Sequence, residues 1–66
     1  MKTKIQELRK KNKISQEELA KMIQVSRQTI NAMESGKYVP STILALKLSL
    51  YFDVPVTEIF SLDEND

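Results

Sequence analysis

Ser15 to Ser41 reads SQEELAKMIQVSRQTINAMESGKYVPS, and its punctuation decides the fold. Ser15-Gln16-Glu17-Glu18 forms a capping box. A serine hydroxyl there accepts an early backbone N–H while a glutamate three residues on reaches back to the cap. The box predicts a short helix ending near Ile23, with Leu19, Ala20 and Ile23 turned inward. Gln24-Val25-Ser26 has room only for a tight turn, and Ser26 can cap a second helix from Arg27 to about Ser35. Gly36 suits the left-handed position just past a helix end. Lys37 to Pro40 is then a loop, and Ser41 caps the next helix.

The second of these helices has two unlike sides. At about 100° per residue, Ile30 and Met33 share one side, while Arg27, Gln28, Asn31 and Ala32 fall within an arc of about 140° on the other. The apolar side can be buried. The polar side offers groups matched to base edges: arginine pairs with guanine, glutamine or asparagine with adenine, and an alanine methyl can touch thymine. Two short helices joined by a three-residue turn have the form of a DNA-binding helix-turn-helix. On an isolated helix such a surface reads as ordinary solvation. After a turn of this spacing it reads as a face for the major groove of double-stranded DNA.

Working outward, the helical pattern continues. A first helix is expected from about Lys2 to Asn12, with Ile5 and Leu8 inward. A fourth runs from the Ser41 cap to about Phe52, and Pro55 suits the first turn of a short fifth helix through Phe60. The polar residues Ser61 to Asp66 are expected to fray. The expectation is an all-α, five-helix fold in one domain, residues 1–66, with the helix-turn-helix at 16–35 and the C-terminal helices and tail at 41–66.

Composition narrows the function. The chain has no cysteine and no histidine, so a thiol nucleophile, a thiolate metal site and the commonest general base are all missing. No paired acids at useful spacing and no phosphate loop stand in their place, so neither catalysis nor a metal or cofactor is expected. The basic stretch Met1 to Lys13 never becomes a continuous apolar run, and no segment is apolar for long enough to span a bilayer. A cytoplasmic protein with no membrane partner is the expectation. Residues 1–47 carry all ten Lys and Arg with four Glu, a balance of +6, and residues 48–66 carry five acids and no base, a balance of −5. That split suits one face for a polyanion and an opposite end kept away from it.

The run from Ser15 to Ser41 resembles the phage-repressor helix-turn-helix family, the Cro/cI-like or XRE group. Ala20 stands at its small interhelical position, Val25 and Ile30 at core positions, and Glu34-Ser35-Gly36 with Pro40-Ser41 matches an E-x-G-x-x-x-P-S signature. Val54 to Phe60 looks like the family's last helix, so the resemblance covers about residues 2–60. There are departures: Gln24 stands where glycine is frequent, and Thr42 where leucine is usual.

The resemblance implies a lambda-repressor-like DNA-binding domain and several roles. Gln16 and Ser26 stand at helix starts that grip phosphates, and Lys37, Tyr38, Ser41 and Thr42 flank the groove from the other side. Arg9 matches an arginine that pairs with the acidic residue at Glu34, a structural ion pair rather than a phosphate contact. Thr29 could reach a phosphate or a base, although a hydroxyl in a first helical turn often bonds locally. Lys2, Lys4, Lys10, Lys11 and Lys13 read as solvated charge.

The C-terminal third is more apolar than a one-sided surface helix needs, which implies a homodimer. Tyr51, Ile59, Phe60 and Leu62 are the interface candidates, with Ile59 equally able to fill the core. The implied function is a transcriptional repressor on a palindromic operator, with no small-molecule effector. The alternative on the same fold is an antitoxin or a protein-interaction module.

Overall fold

Three serines start three of the helices. In the computed structural model, which describes all 66 residues, Ser15 Oγ accepts the Glu18 N–H at 3.0 Å while Glu18 Oε1 accepts the Ser15 N–H at 3.0 Å. Ser26 Oγ accepts the Thr29 N–H at 3.1 Å, and Ser41 Oγ accepts the Leu44 N–H at 3.2 Å. Each hydroxyl satisfies a backbone donor that a helix start leaves unpaired, worth about 1 kcal/mol.

The element order is β1 (Lys2–Thr3), α1 (Ile5–Lys11), α2 (Gln16–Ile23), α3 (Arg27–Glu34), α4 (Thr42–Phe52), α5 (Val56–Ile59) and β2 (Phe60–Ser61). The five helices of the expected all-α fold are present, joined by a small ribbon that was not expected.

Left-handed residues follow the ends of the first four helices. Lys13, Gln24, Gly36 and Asp53 have φ of +57°, +63°, +78° and +56°. At Gly36 the closure is complete: its N–H reaches Met33 O and the Lys37 N–H reaches Ala32 O, both at 3.1 Å. Glycine is favoured there on two counts, because a Cβ would also lie a tight 3.2 Å from the Met1 carbonyl oxygen. Gln24 adopts the left-handed conformation without being glycine. Lys47 Nζ on α4 sits 3.2 Å from Gln24 Oε1 and 3.4 Å from the Ile23 carbonyl oxygen, so a cation caps the negative end of α2.

The chain ends differ from their sequence reading. α1 begins at Ile5, not near Lys2. Lys2 and Thr3 instead pair antiparallel with Ser61 and Phe60. Thr3 Oγ1 accepts the Ile5 N–H at 3.2 Å, and the Lys4 N–H bonds Ile59 O at 2.8 Å, so extended backbone hands over to helix at that point. α5 correspondingly stops at Ile59, and Phe60 is extended. The tail is also tied back rather than frayed: the Met1 ammonium lies 2.8 Å from Asp63 Oδ2 and 3.2 Å from Asp66 Oδ2.

Every helix contributes to one core. Ile5, Leu19, Ala20, Ile23, Ile30, Met33, Leu48, Ile59 and Phe60 are buried together. A fully buried aliphatic side chain contributes about 1.5–3 kcal/mol. Ala20, at 4% exposure, is the smallest side chain of this core. Of the interface candidates, Phe60 is corrected to a core residue, and Ile59 takes the core place that it was equally able to fill. Ile59 is 1% exposed and Phe60 9%, and both are packed within the core cluster. Tyr51 and Leu62 remain exposed. No helix is long and apolar enough to cross a membrane.

The clamp at the chain ends makes a prediction. The hydrogen bonds that the Met1 ammonium donates to Asp63 and then Asp66 raise it above its ordinary value of 8.0. The Asp63 backbone N–H, and then the ammonium, hold Asp66 below its ordinary 3.8. A proton held more tightly in the folded state stabilises it below the unfolded value and ceases to do so as pH rises through the folded one. The carboxylate contributes above its unfolded value and loses its effect as pH falls through the folded one. For the chain starting at Met1, the clamp is therefore complete between about pH 4 and 8. Acetylating the α-amine should lower the melting temperature at neutral pH, and the gap between acetylated and free chains should close as pH rises past 8. A constant gap would show that the ammonium contact is not maintained in solution.

Candidate nucleic-acid interface

α3 divides into the two sides its sequence implies. Ile30 and Met33 are 0% and 1% exposed. On the other side Arg27, Gln28 and Asn31 are exposed and together line one open polar depression. None of the three side chains makes a hydrogen bond within the chain, so their donors and acceptors are free for a ligand. Ala32 is partly buried, since the chain turns back beside it: its carbonyl oxygen accepts from the Lys37 and Tyr38 N–H groups and from Ser35 Oγ. Of the four residues it offers the least surface.

Further candidate residues precede α3, lie in its first turn, or follow it in the loop that leads to α4 and at the start of that helix. Ser26 is exposed, but its hydroxyl is occupied as a cap and lies 3.0 Å from Thr29 Oγ1. Thr29 is half-buried and its hydroxyl is engaged locally by that contact. Lys37, Tyr38, Ser41 and Thr42 are all exposed, with Ser41 capping α4.

Behind this surface lies the pair between α1 and α3. Arg9 Nε donates to Glu34 Oε2 at 2.8 Å and Arg9 Nη2 to Oε1 at 3.3 Å, a two-pronged contact between side chains 12% and 6% exposed. Arg9 Nη1 also donates to the Ile14 carbonyl at 3.0 Å. The hydrogen bond to Glu34 raises the already high Arg9 pKa further. Gln16, expected only at a helix start, joins this network: its Nε2 donates to Glu34 Oε1 at 3.1 Å. Arg9, Ser15, Gln16, Glu17 and Arg27 line one open cleft between the starts of α2 and α3. Sequence reasoning missed the Gln16–Glu34 bond and the Lys47 cap, and no local pattern announces either, since the partners are 18 and 23 or more residues apart.

A buried-backed recognition helix, set by a three-residue turn against a second helix, defines the class of helix-turn-helix DNA-binding proteins. The helix-turn-helix family profile matches residues 5–59. The HTH-type transcriptional regulator YgzD of Bacillus subtilis is 44% identical over 66 residues, covering all of both chains. An HTH-type transcriptional regulator of Archaeoglobus fulgidus is 46% identical over 66 residues, covering all of this chain and 93% of its own. The HTH-type transcriptional activator BcrR of Enterococcus faecalis is 38% identical over 61 residues, 92% of this chain and 30% of its own length. The chain belongs to the XRE-type helix-turn-helix family of transcriptional regulators, and is a DNA-binding regulator rather than an enzyme.

The Arg9–Glu34 geometry sets a stability expectation. Glu34→Gln keeps the shape but removes the charge facing a nearly buried guanidinium, a hydrogen bond to a charged group worth about 1.5–3 kcal/mol. The melting temperature should fall by at least about 5 °C in a chain of this size. An unchanged melting temperature would show that both side chains are solvated.

Proposed function

We propose that this regulator is a sequence-specific repressor that binds a palindromic operator as a homodimer, with α3 in the major groove. The observation that carries the reading is the opposition on α3: two buried apolar residues fix the helix, and Arg27, Gln28 and Asn31 face outward with no partner in the chain. Arg27, Gln28 and Asn31 read base edges, and the partly buried Ala32 methyl borders them. Gln16, Ser26, Thr29, Lys37, Tyr38, Ser41 and Thr42 contact the sugar-phosphate backbone, Ser26 and Thr29 largely through the backbone amides that their locally bonded side chains hold in place. Such contacts set position, while base contacts carry specificity.

The homodimer forms through residues 41–66 and the loop before them. α4 is apolar on all sides, yet only Leu48 is fully buried, and Ile43, Leu46 and Leu50 are 68%, 54% and 83% exposed. An apolar groove runs between the loop, α4 and α5, lined by Val39, Pro40, Leu46 and Val56 among others. With Tyr51 and Leu62 exposed beyond it, this is more apolar surface than a solvated helix needs. A two-fold pair would set two recognition helices about 34 Å apart. Repression follows from occupancy of a promoter in the cytoplasm, without a small-molecule effector. The name of BcrR marks the opposite sign, and transcription from the bound promoter with and without the protein decides between them.

Two measurements test this reading. On a duplex selected from random DNA, Arg27→Ala or Gln28→Ala should each cost about 1–3 kcal/mol and relax the preference at one base pair per half-site. Equal losses on selected and scrambled duplexes would overturn the base-reading role. Sedimentation at micromolar concentration without DNA should give twice the 7.6 kDa chain mass. A species at the chain mass would refute a stable free dimer.

A further inference from the structure

Glu34 does more than pair with Arg9. Its Oε1 accepts from both Arg9 Nη2 and Gln16 Nε2, so a single carboxylate oxygen ties α1, α2 and α3 together. A carboxylate can only accept hydrogen bonds, and an amide has two distinct ends. The Gln16 amide must therefore turn its nitrogen toward Glu34. One of its two N–H bonds is consumed there. The amide borders the open cleft that Arg27 and Arg9 also line, with Glu17 as the acid on the same cleft. Without the carboxylate, the amide could equally present its oxygen to that cleft, which would repel a phosphate.

We propose that Glu34 is a positioning residue for DNA binding: by fixing the orientation of the Gln16 amide, it aims the second Gln16 N–H at a backbone phosphate seated in the cleft between the starts of α2 and α3. The inference rests on the backbone role of Gln16 proposed above. The Arg9–Glu34 pair then serves the grip as well as the fold, because Arg9 holds the Glu34 carboxylate in the one place from which it can orient Gln16.

A double-variant cycle separates positioning from stability. Binding of the wild type, Gln16→Ala, Glu34→Gln and the double variant is measured on the selected duplex and on a scrambled duplex of the same composition. The temperature is set well below the melting point of the weakest variant, with circular dichroism confirming that each is folded. Gln16→Ala should weaken binding about tenfold or more on both duplexes, as loss of one hydrogen bond to a charged phosphate implies. Glu34→Gln should do the same in the wild-type background and add less than about twofold on top of Gln16→Ala. Glu34→Gln weakening binding by the same factor in both backgrounds would overturn the proposal, since a purely structural role does not depend on Gln16.

The wild type alone supplies a second measurement, independent of whether a variant folds. Without DNA, one Gln16 side-chain amide proton should resonate downfield in the hydrogen-bonded range, and adding the scrambled duplex should move the other. Two amide protons at free positions without DNA, or two that DNA leaves in place, would overturn it. Base reading by α3 stands or falls on the ratio between the two duplexes, so the two readings fail separately.

Discussion

No helix in this chain is long enough to stand alone. α1 has 7 residues, α2 and α3 have 8 each, α4 has 11 and α5 has 4. Isolated helices shorter than about 12–15 residues are marginal in water even with favourable composition. Each helix therefore exists because its ends are closed and one side is buried against the others. Serine caps close the starts of α2, α3 and α4, left-handed residues follow the first four helices, and a single core receives at least one side chain from every helix. Function inherits this constraint. A recognition helix of 8 residues can present a fixed polar side only because Ile30 and Met33 hold its other side without freedom to roll.

Burial alone does not fix how α3 lies along α1 and α2, since apolar contacts are non-directional. The Glu34 carboxylate supplies direction. It bonds Arg9 from α1 and Gln16 from the start of α2, and it lies in the last turn of α3. With the side chain 6% exposed, the charge has left water and must be matched in place. A sliding or rotated α3 would strand it. The polar contact thus specifies an arrangement that the apolar core would only favour.

What was legible in the sequence was local. Ser15 with Glu18, Ser26, Ser41 and Gly36 each act on backbone within a few residues, so helix boundaries from Ser15 to Phe52 could be read almost to the residue. The two sides of α3 were legible for the same reason, being a matter of helical period. The chain ends were not. Thr3 pairs with Phe60, and the Met1 ammonium meets Asp63 and Asp66, contacts that close almost the whole length of the chain. Nothing in a two-residue strand distinguishes it from a fraying helix start. Phe60 reads as an interface residue in the sequence because its partner strand is not visible there. Gln16 was legible as a helix start, while its bond to Glu34 depends on how α2 crosses α3 and so belongs to tertiary structure.

The ribbon formed by those ends bears on how two copies could read DNA. Met1 is the point of contact. Its carbonyl oxygen lies against Gly36 in the turn that ends α3, and its side chain lines the apolar groove with Val39, Leu46 and Phe60. The residues after it pair with β2, which continues directly from α5. The recognition helix therefore reaches the apolar surface by way of the turn at Gly36, the strand pair and the packed core. This continuity matters because a two-fold protein reads two half-sites only when the separation of its recognition helices matches the repeat of the double helix. A hinge anywhere on that path would let the separation vary, and part of the binding free energy would go into fixing it. In a two-fold pair of the kind proposed above, the first residue, lying between the end of α3 and the groove, would join the two parts of each copy that set this spacing.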